Sequence, residues 1–255
     1  MSATSGNSFF DRIEWQSDKF RLAGLTFYFQ YALKDANEAV DGFVFHKTRP
    51  LVEEYADFFA THPGSYSNIL ELGIWGGGSV VFWNECLSPD KLVGVDIQTQ
   101  GDREQFRRYV TSRALEGRIK TIWGVDQADR AHLRSIVEQE FKAPLDLVID
   151  DASHQYLATK ATFETLFPRL RPGGIYFIED WGWGYEEPFL QSNPDWREFK
   201  PLSDLALELV QLTGTHPPHT MHLSPVKSIL MCHGFLAIQR SALTIADPDS
   251  FKITP

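Results

Sequence analysis

The chain has 255 residues, of which 43% are hydrophobic and 23% charged, so it can bury the core of one domain of ordinary size. Its net charge of −10 offers no basic patch for phosphates, and this excludes nucleic acid as a predicted partner. Its two cysteines predict neither a disulfide framework nor a zinc site, and no apolar stretch reaches the length of a membrane span, so we expect a cytoplasmic protein without a membrane partner.

Residues 1–65 are predicted to form a helical arm ahead of the main domain, residues 66–255. The aromatic segment "LTFYFQYAL", residues 25–33, is interpreted as one helix of this arm. A second helix is expected to begin at Pro50, with Glu53 and Glu54 where the helix dipole favours acids. The arm is either a subunit interface, which makes a homo-oligomer the predicted assembly, or a lid over the active site.

From Ile69 onward, short apolar runs alternate with amphipathic helical patterns, as is typical of a parallel sheet covered by helices on both faces. Strands are predicted at residues 69–73, 91–96, 119–123, 145–149 and 175–179. The intervening helices are predicted at residues 79–87, 103–115, 130–141 and 158–170. The later segment "SILMCHGFLAIQRS" has two apolar runs split by His233 and Gly234, which indicates an antiparallel hairpin at the sheet edge.

The stretch "ILELGIWGGGS", residues 69–79, is a predicted strand that enters a glycine-rich turn and opens a helix, so a ligand is expected to approach its backbone. A dinucleotide fingerprint would need a second glycine where Trp75 stands, and a phosphate loop would need a lysine between Gly78 and Ser79. With a dinucleotide and a nucleotide triphosphate disfavoured, the remaining candidate is an adenosyl ligand without phosphates. Glu71 would repel a pyrophosphate but tolerate a cation, which favours the sulfonium S-adenosylmethionine.

The predicted contacts of this cofactor follow from their places after the strands. The first set is Glu71, Gly73, Gly76, Gly78 and Ser79. Asp96 ends the second strand, where a carboxylate can accept hydrogen bonds from both ribose hydroxyls or simply cap the next turn. Asp126 and Gln127 follow the third strand and are placed near the adenine edge.

Four motifs in this order, "ELGIWGGGS", "GVDIQ", "DLVIDD" and "LRPGGIYFIED", resemble those of class I S-adenosylmethionine-dependent methyltransferases. The resemblance extends over residues 69–240. It implies an α/β, Rossmann-like fold with a seven-stranded, mostly parallel sheet and one reversed strand, in agreement with the predicted C-terminal hairpin.

Acidic residues follow the fourth and fifth predicted strands, in "IDDASHQ" and "FIEDWGWG". Asp150, Asp151, His154, Glu179 and Asp180 would therefore meet at the carboxyl edge of the sheet, where open α/β sheets bind ligands. Carboxylates brought together without a cation repel one another, so a positive group is expected between them. Oxygen ligands without a nearby cysteine favour Mg²⁺, with Ca²⁺ or Mn²⁺ as substitutes.

The pattern of Asp151, His154, Glu179 and Asp180 resembles the catalytic set of the Mg²⁺-dependent O-methyltransferases that modify deoxysugars of macrolide antibiotics. That resemblance implies Asp151, Glu179 and Asp180 as metal ligands and His154 as the general base. His154 could instead cap the following helix. Asp150 is assigned to the cofactor side, although a structural role stays open.

The aromatic loop "WGWGYEE" supplies Trp181, Trp183 and Tyr185 as predicted acceptor contacts, or forms a packed surface loop. The histidines of "THPPHTMH", residues 215–222, suit an irregular loop better than a zinc site. The predicted function is Mg²⁺-dependent methyl transfer from S-adenosylmethionine to a sugar hydroxyl of a glycosylated natural product in antibiotic biosynthesis. A metal-dependent phenol or catechol O-methyltransferase and a non-catalytic cofactor-binding module are the alternatives.

Overall fold

The computed structural model describes residues 9–33, 41–192, 194–214 and 224–253. In these ranges a small four-stranded sheet precedes a seven-stranded sheet that carries helices on both faces. None of the helices in the described ranges has the length and apolar character needed to cross a bilayer. The histidine-rich stretch at residues 215–222 lies outside the described residues.

The N-terminal segment forms a sheet, and the predicted helix at residues 25–33 is wrong. The strands are β1 (Glu14–Trp15), β2 (Lys19–Leu22), β3 (Leu25–Phe29) and β4 (Phe43–Phe45), in that order in the sheet. Ala23 and Gly24 both have positive φ, 51° and 80°, which is the geometry of a two-residue hairpin turn between β2 and β3. Aromatic residues suit such a half-buried pleated surface.

The predicted second helix of the arm is confirmed as α1 (Arg49–Thr61), with Pro50 in its first turn. Phe27 and Phe29 of β3 pack into the same buried cluster as α1 and the large sheet. These aromatic side chains are therefore buried in the core of this chain, and they give no support to a subunit interface at this segment. The arm is a β-sheet followed by one helix rather than a helical arm.

The large sheet confirms the predicted architecture. Its strands are β5 (Asn68–Leu72), β6 (Lys91–Asp96), β7 (Ile119–Trp123), β8 (Leu145–Asp150), β9 (Leu170–Glu179), β10 (Val226–Met231) and β11 (Phe235–Arg240). The order across the sheet is β10, β11, β9, β8, β5, β6, β7. Strands β5 to β9 run parallel, and β11 is reversed between β9 and β10, so the hairpin closes one edge as expected.

The helices that cover the sheet are α2 (Gly78–Leu87), α3 (Glu104–Ser112), α4 (Arg130–Glu140), α5 (Tyr156–Leu166), α6 (Glu187–Ser192) and α7 (Leu202–Gly214). One core contains α1, α2, α3 and the small sheet, and the other contains α4, α5 and α7. The fourth predicted helix ends earlier than expected, at Leu166, because Pro168 follows in a 3-10 turn. Helices α6 and α7 were not predicted.

Candidate functional site

The site lies where the strand order of the large sheet reverses. Strand β5 has β6 on one side and β8 on the other, and in such sheets the crevice between the diverging connections binds the ligand. Asp151 N donates to Leu72 O at 2.9 Å, which holds the turn after β8 against the end of β5. Gly73 has φ of +83°, and a Cβ there would lie 1.9 Å from the carbonyl oxygen of Asp151. The predicted glycine is thus required by the close approach of two chain segments.

The rest of the glycine loop is shaped by its protein neighbours as well. A Cβ on Gly78 would lie 2.1 Å from Val44 O, so this glycine makes room for strand β4. A Cβ on Gly76 would lie 2.9 Å from the side chain of Arg103. Trp75 adopts a φ of +49°, which is uncommon for a bulky residue. The loop is therefore tightly specified by its surroundings.

Asp96, predicted to bind ribose, anchors the glycine loop. Its Oδ2 accepts hydrogen bonds from the backbone N–H groups of Ile74, at 2.9 Å, and Trp75, at 2.7 Å. Its Oδ1 accepts one from Gln98 N at 2.9 Å. A carboxylate has about four acceptor positions, so these bonds leave room for a ribose hydroxyl.

Glu71 is fully buried beneath this loop. Its Oε1 accepts a hydrogen bond from Trp83 Nε1 at 3.1 Å, while Oε2 has no hydrogen-bond partner among the described residues. Burial raises the pKa of Glu71 to about 7, against the opposing effect of the Lys47 charge. An unsatisfied buried oxygen of this kind fits a bound cationic or hydrogen-bond-donating ligand.

Asp150 is the last residue of β8, and its carboxylate is hydrogen-bonded within the protein. Its Oδ2 accepts a hydrogen bond from the hydroxyl of Tyr176 at 2.8 Å, and its Oδ1 accepts one from Gln127 Nε2 at 3.1 Å. Burial raises the pKa of Asp150 to about 7, although both hydrogen bonds oppose the change. Of the two roles left open for Asp150, its contacts favour the structural one.

The side chain of Gln127, predicted near the adenine edge, is buried and hydrogen-bonded within the protein. Its Nε2 donates to Asp150 and also to Thr162 Oγ1 at 3.0 Å, and its Oε1 accepts from Ser153 N at 2.7 Å. Both amide hydrogens and the carbonyl oxygen are thereby used within the protein. Asp126 is exposed, and its Oδ1 accepts from Ala128 N.

A lysine that sequence reasoning missed lies between the acids of β8 and β9. Lys47 Nζ contacts Asp151 Oδ2 at 2.7 Å and Glu179 Oε2 at 2.6 Å. Its side chain is only 2% exposed. Burial alone would lower the pKa of Lys47, but Asp151, Glu179 and the nearby Glu71 raise it well above its ordinary value. The positive group expected among the acids is thus supplied by the segment between β4 and α1.

His154 faces the same cluster from the turn after β8. Its Nδ1 lies 3.3 Å from the carbonyl oxygen of Glu179, and a carbonyl only accepts, so the ring proton is assigned to Nδ1. Its Nε2 is then unprotonated and lies 3.8 Å from Asp151 Oδ1 and 4.0 Å from Asp180 Oδ2. Burial lowers the pKa of His154, although Asp151 opposes the change. The Trp183 ring packs on the imidazole, with the centroids 4.3 Å apart.

Asp180 completes the cluster after β9. Its N–H donates to Gly234 O at 3.0 Å, and its φ of +50° turns the chain away from the sheet. Burial raises the pKa of Asp180 to about 7, and Asp151 adds to the increase. Asp151, His154 and Asp180 each offer one ligand atom, and these atoms lie within 4.8 Å of one another. Glu179, the third predicted metal ligand, is engaged with Lys47 instead.

A cavity of about 300 Å³ opens beside His154. Its wall includes Trp181, Leu190, Trp196, Phe199 and Lys200. Two of the aromatic residues, Trp196 and Phe199, lie beyond the predicted loop and were missed, because no strand or glycine signal marks that stretch.

The three predicted acceptor contacts have different positions. Trp181 borders the cavity, and its Nε1 donates to Cys232 O at 2.9 Å. Trp183 packs on His154. Tyr185 is 61% exposed, and its hydroxyl bonds to Ser203. The structure therefore brings Trp181 and Trp183 close to His154 and leaves Tyr185 at the surface.

An ion-pair network anchors α7 below this cavity and gives a pH-dependent prediction. The Glu208 carboxylate accepts hydrogen bonds from Tyr156, Lys160 and Lys200. Partial burial would raise the pKa of Glu208, but these bonds lower it to about 2 from 4.5. A lowered pKa stabilises the folded state above pH 4.5, and this contribution is lost as the pH falls towards 2.

Glu208→Gln is therefore expected to reduce the free energy of unfolding by about 1–2 kcal/mol at neutral pH, after allowance for solvent screening. Denaturant titrations at neutral pH and near pH 3 should show this difference shrinking at the lower pH. Glu138→Gln, at an exposed position of α4, is the control and should change little at either pH. A difference of the same size at both pH values would contradict the ion-pair explanation.

Comparisons with known proteins agree with this geometry. Residues 70–181 match a protein family described as a methyltransferase domain. Demethylmacrocin O-methyltransferase of Streptomyces fradiae is 32% identical over 70% of this chain and 44% of its own length. Mycinamicin VI 2''-O-methyltransferase of Micromonospora griseorubida is 34% identical over 49% of this chain and 30% of its own. This chain thus spans less than half the length of either relative.

Among solved structures, the MycE methyltransferase from the mycinamycin biosynthetic pathway, in complex with Mg and SAH, matches with a TM-score of 0.55 and 26% identity. The match covers 77% of this chain and 51% of that one. The segment matched to the family begins in β5 and ends just after the acid pair of β9, so it contains the glycine loop, His154 and the acid cluster but not Lys47, Trp183 or the far wall of the cavity. Fold and sequence therefore agree: residues 70–181 form a methyltransferase domain, and the chain has the α/β, Rossmann-like fold of the class I S-adenosylmethionine-dependent methyltransferases.

Proposed function

We propose that this chain transfers a methyl group from S-adenosylmethionine to a sugar hydroxyl of a glycosylated natural product, with Mg²⁺ at the acid cluster and His154 as general base. The observation that carries the proposal is the position of His154. It stands between the acid cluster and the 300 Å³ cavity, with Nε2 turned towards Asp151 and Asp180. The two relatives described above act, by their names, on demethylmacrocin and mycinamicin VI, and a further relative from Streptomyces olivaceus is named 8-demethyl-8-alpha-L-rhamnosyl tetracenomycin-C 2'-O-methyltransferase, which supports a glycoside as the acceptor.

The residues of the glycine loop fit S-adenosylmethionine. Glu71 has a buried oxygen without a partner among the described residues, and a carboxylate there suits the cationic cofactor. Asp96 retains acceptor capacity for a ribose hydroxyl. Gly73 and Gly76 have no side chains, so the loop leaves its backbone open to a ligand between Glu71 and Asp96. We assign these four residues to the cofactor.

The acid cluster fits a hard divalent ion. Asp151 and Asp180 would hold Mg²⁺ through carboxylate oxygens, which are its preferred ligands, and Glu179 stands next to them. When bound, the ion would lower the pKa of a coordinated hydroxyl and fix its position.

The residues of this chain that would act in the reaction are His154 and the aromatic side chains that line the cavity. Nε2 of His154 would accept the proton of the acceptor hydroxyl. S-adenosylmethionine, when bound, would supply the methyl group to that oxygen and leave as S-adenosylhomocysteine. The carbonyl of Glu179 keeps the ring in the required tautomer through Nδ1. Trp181, Trp196 and Phe199 surround the acceptor with apolar surface, and exclusion of water speeds a transfer in which opposite charges cancel.

A methyl-transfer assay with S-adenosylmethionine and two acceptors tests the proposal. A rhamnosylated polyketide should be methylated, excess EDTA should stop the reaction, and added Mg²⁺ should restore it. Preferential methylation of a simple catechol would support the phenol or catechol alternative. Cofactor binding in calorimetry without transfer to either acceptor class would contradict an enzymatic role.

A further inference from the structure

The ammonium group of Lys47 is held by the same carboxylates that the proposed function assigns to a metal ion. Its Nζ contacts Asp151 Oδ2 at 2.7 Å and both carboxylate oxygens of Glu179, at 2.8 and 2.6 Å. With the Lys47 side chain 2% exposed and that of Glu179 1% exposed, these contacts are almost completely shielded from water. Removing one partner of such a buried ion pair leaves the other charge buried and unpaired, which strongly destabilises the folded state.

This arrangement divides the acid cluster into two parts. The ammonium lies on Glu179 and on one oxygen of Asp151, while the other oxygen of Asp151 lies towards His154 and Asp180. The carboxylate oxygens that remain for an ion therefore belong to Asp151 and Asp180, next to His154, and omit Glu179. A divalent ion among all three carboxylates would need the position that Lys47 Nζ now takes.

We infer that Lys47 is a resident counter-ion of the acid cluster, whose ammonium competes with a divalent ion for Asp151 and Glu179 and has to withdraw before the ion can bind both. The inference rests on the metal site of the proposed function. Two positive groups at such a short separation repel each other strongly, and burial weakens the screening of that repulsion.

The position of Lys47 in the chain suits such an exchange. It lies in the short connection between β4 and α1, so its side chain enters the acid cluster from an element outside the large sheet. The neighbours on either side, His46 and Thr48, are exposed. The strand ends that carry Asp151 and Glu179 are fixed by the sheet, so the lysine is the partner that can move.

Titration with Mn²⁺, followed by the electron paramagnetic resonance signal of the free ion, tests the competition without acceptor or methyl transfer. Lys47→Met keeps an unbranched side chain but removes the charge, and it should bind Mn²⁺ at least about tenfold more tightly than the wild type. Lys120→Met removes an exposed lysine that pairs with Glu140 on the surface, and it should leave Mn²⁺ affinity unchanged. Equal or weaker affinity in a folded Lys47→Met protein would overturn the inference.

A second measurement uses the wild-type protein, because loss of a buried ion-pair partner can prevent folding. Lysine acylation with a succinimidyl ester, read by peptide mass spectrometry, should modify Lys47 slowly without metal and several-fold faster at saturating Mg²⁺. Labelling of Lys120 serves as the internal control. Labelling of Lys47 that does not respond to Mg²⁺ would overturn the inference. Neither result depends on methyl transfer, so an inactive enzyme would contradict the proposed function alone.

Discussion

Replacing His154 by asparagine is expected to slow methyl transfer by roughly 10²- to 10⁴-fold, the usual contribution of a general base. Nε2 is the group placed to accept the hydroxyl proton, and an asparagine amide cannot take that role. Asparagine is the suitable replacement because residue 154 has φ of +53°, a conformation that asparagine tolerates better than alanine. Loss of activity through backbone strain is thereby minimised.

The affinity of the His154→Asn protein for S-adenosylhomocysteine, measured by calorimetry, should stay close to that of the wild type. The contacts described above do not join the imidazole to the glycine loop or to Asp96. His132→Ala, at an exposed position of α4, is the matched control and should retain full activity. Unchanged turnover in His154→Asn would reject the base assignment. A parallel loss of cofactor affinity would point to a structural role for the histidine.

The large sheet could be predicted closely because its strands carry their own signal. Strands β6 and β7 have the predicted bounds, β8 is one residue longer at its end, and β5 is shifted by one residue towards the N-terminus. Such strands are buried on both faces, so they are continuous apolar runs that stand out between amphipathic helices. Strand β9 begins five residues earlier than predicted, at Leu170, and the added part contains Pro172, Gly173 and Gly174, which are residue types depleted in strands.

The small sheet could not be predicted in the same way, because the aromatic run from Leu25 to Phe29 is compatible with helical and strand periods over so few residues. The Ala23 and Gly24 turn was the available signal, since two residues with positive φ connect strands of a hairpin. An alanine at the first of these positions hides that signal.

The candidate site was predictable where its residues follow strands and unpredictable where partners come from distant segments. Asp151, His154, Glu179 and Asp180 meet at one edge because parallel strands end together. Lys47 lies 104 residues before Asp151 and belongs to a different sheet connection, so local sequence gives no indication of the pairing. Gln127 was placed correctly after β7, but its side-chain partners were decided by packing against α5.

Replacing Gly73 by alanine is expected to lower the free energy of unfolding by more than about 4 kcal/mol, a size reserved for severe local conflicts. Two costs add at this position. The φ of +83° disfavours any L side chain, and the new Cβ would lie 1.9 Å from Asp151 O, a backbone atom that cannot rotate away. Relief requires the turn after β8 to move, which would also displace the carboxylate of Asp151.

Gly24→Ala separates these two costs. Gly24 has nearly the same φ, +80°, but a Cβ there has no atom within 4 Å, so its replacement should cost only about 1–2 kcal/mol through the backbone conformation. Denaturant titrations of both variants would therefore measure the contribution of the contact between the glycine loop and the turn after β8. If the two substitutions cost the same, Gly73 is needed only for its φ. If Gly73→Ala costs far more, the close approach of Gly73 to Asp151 O constrains the glycine loop and the acid cluster to one relative position.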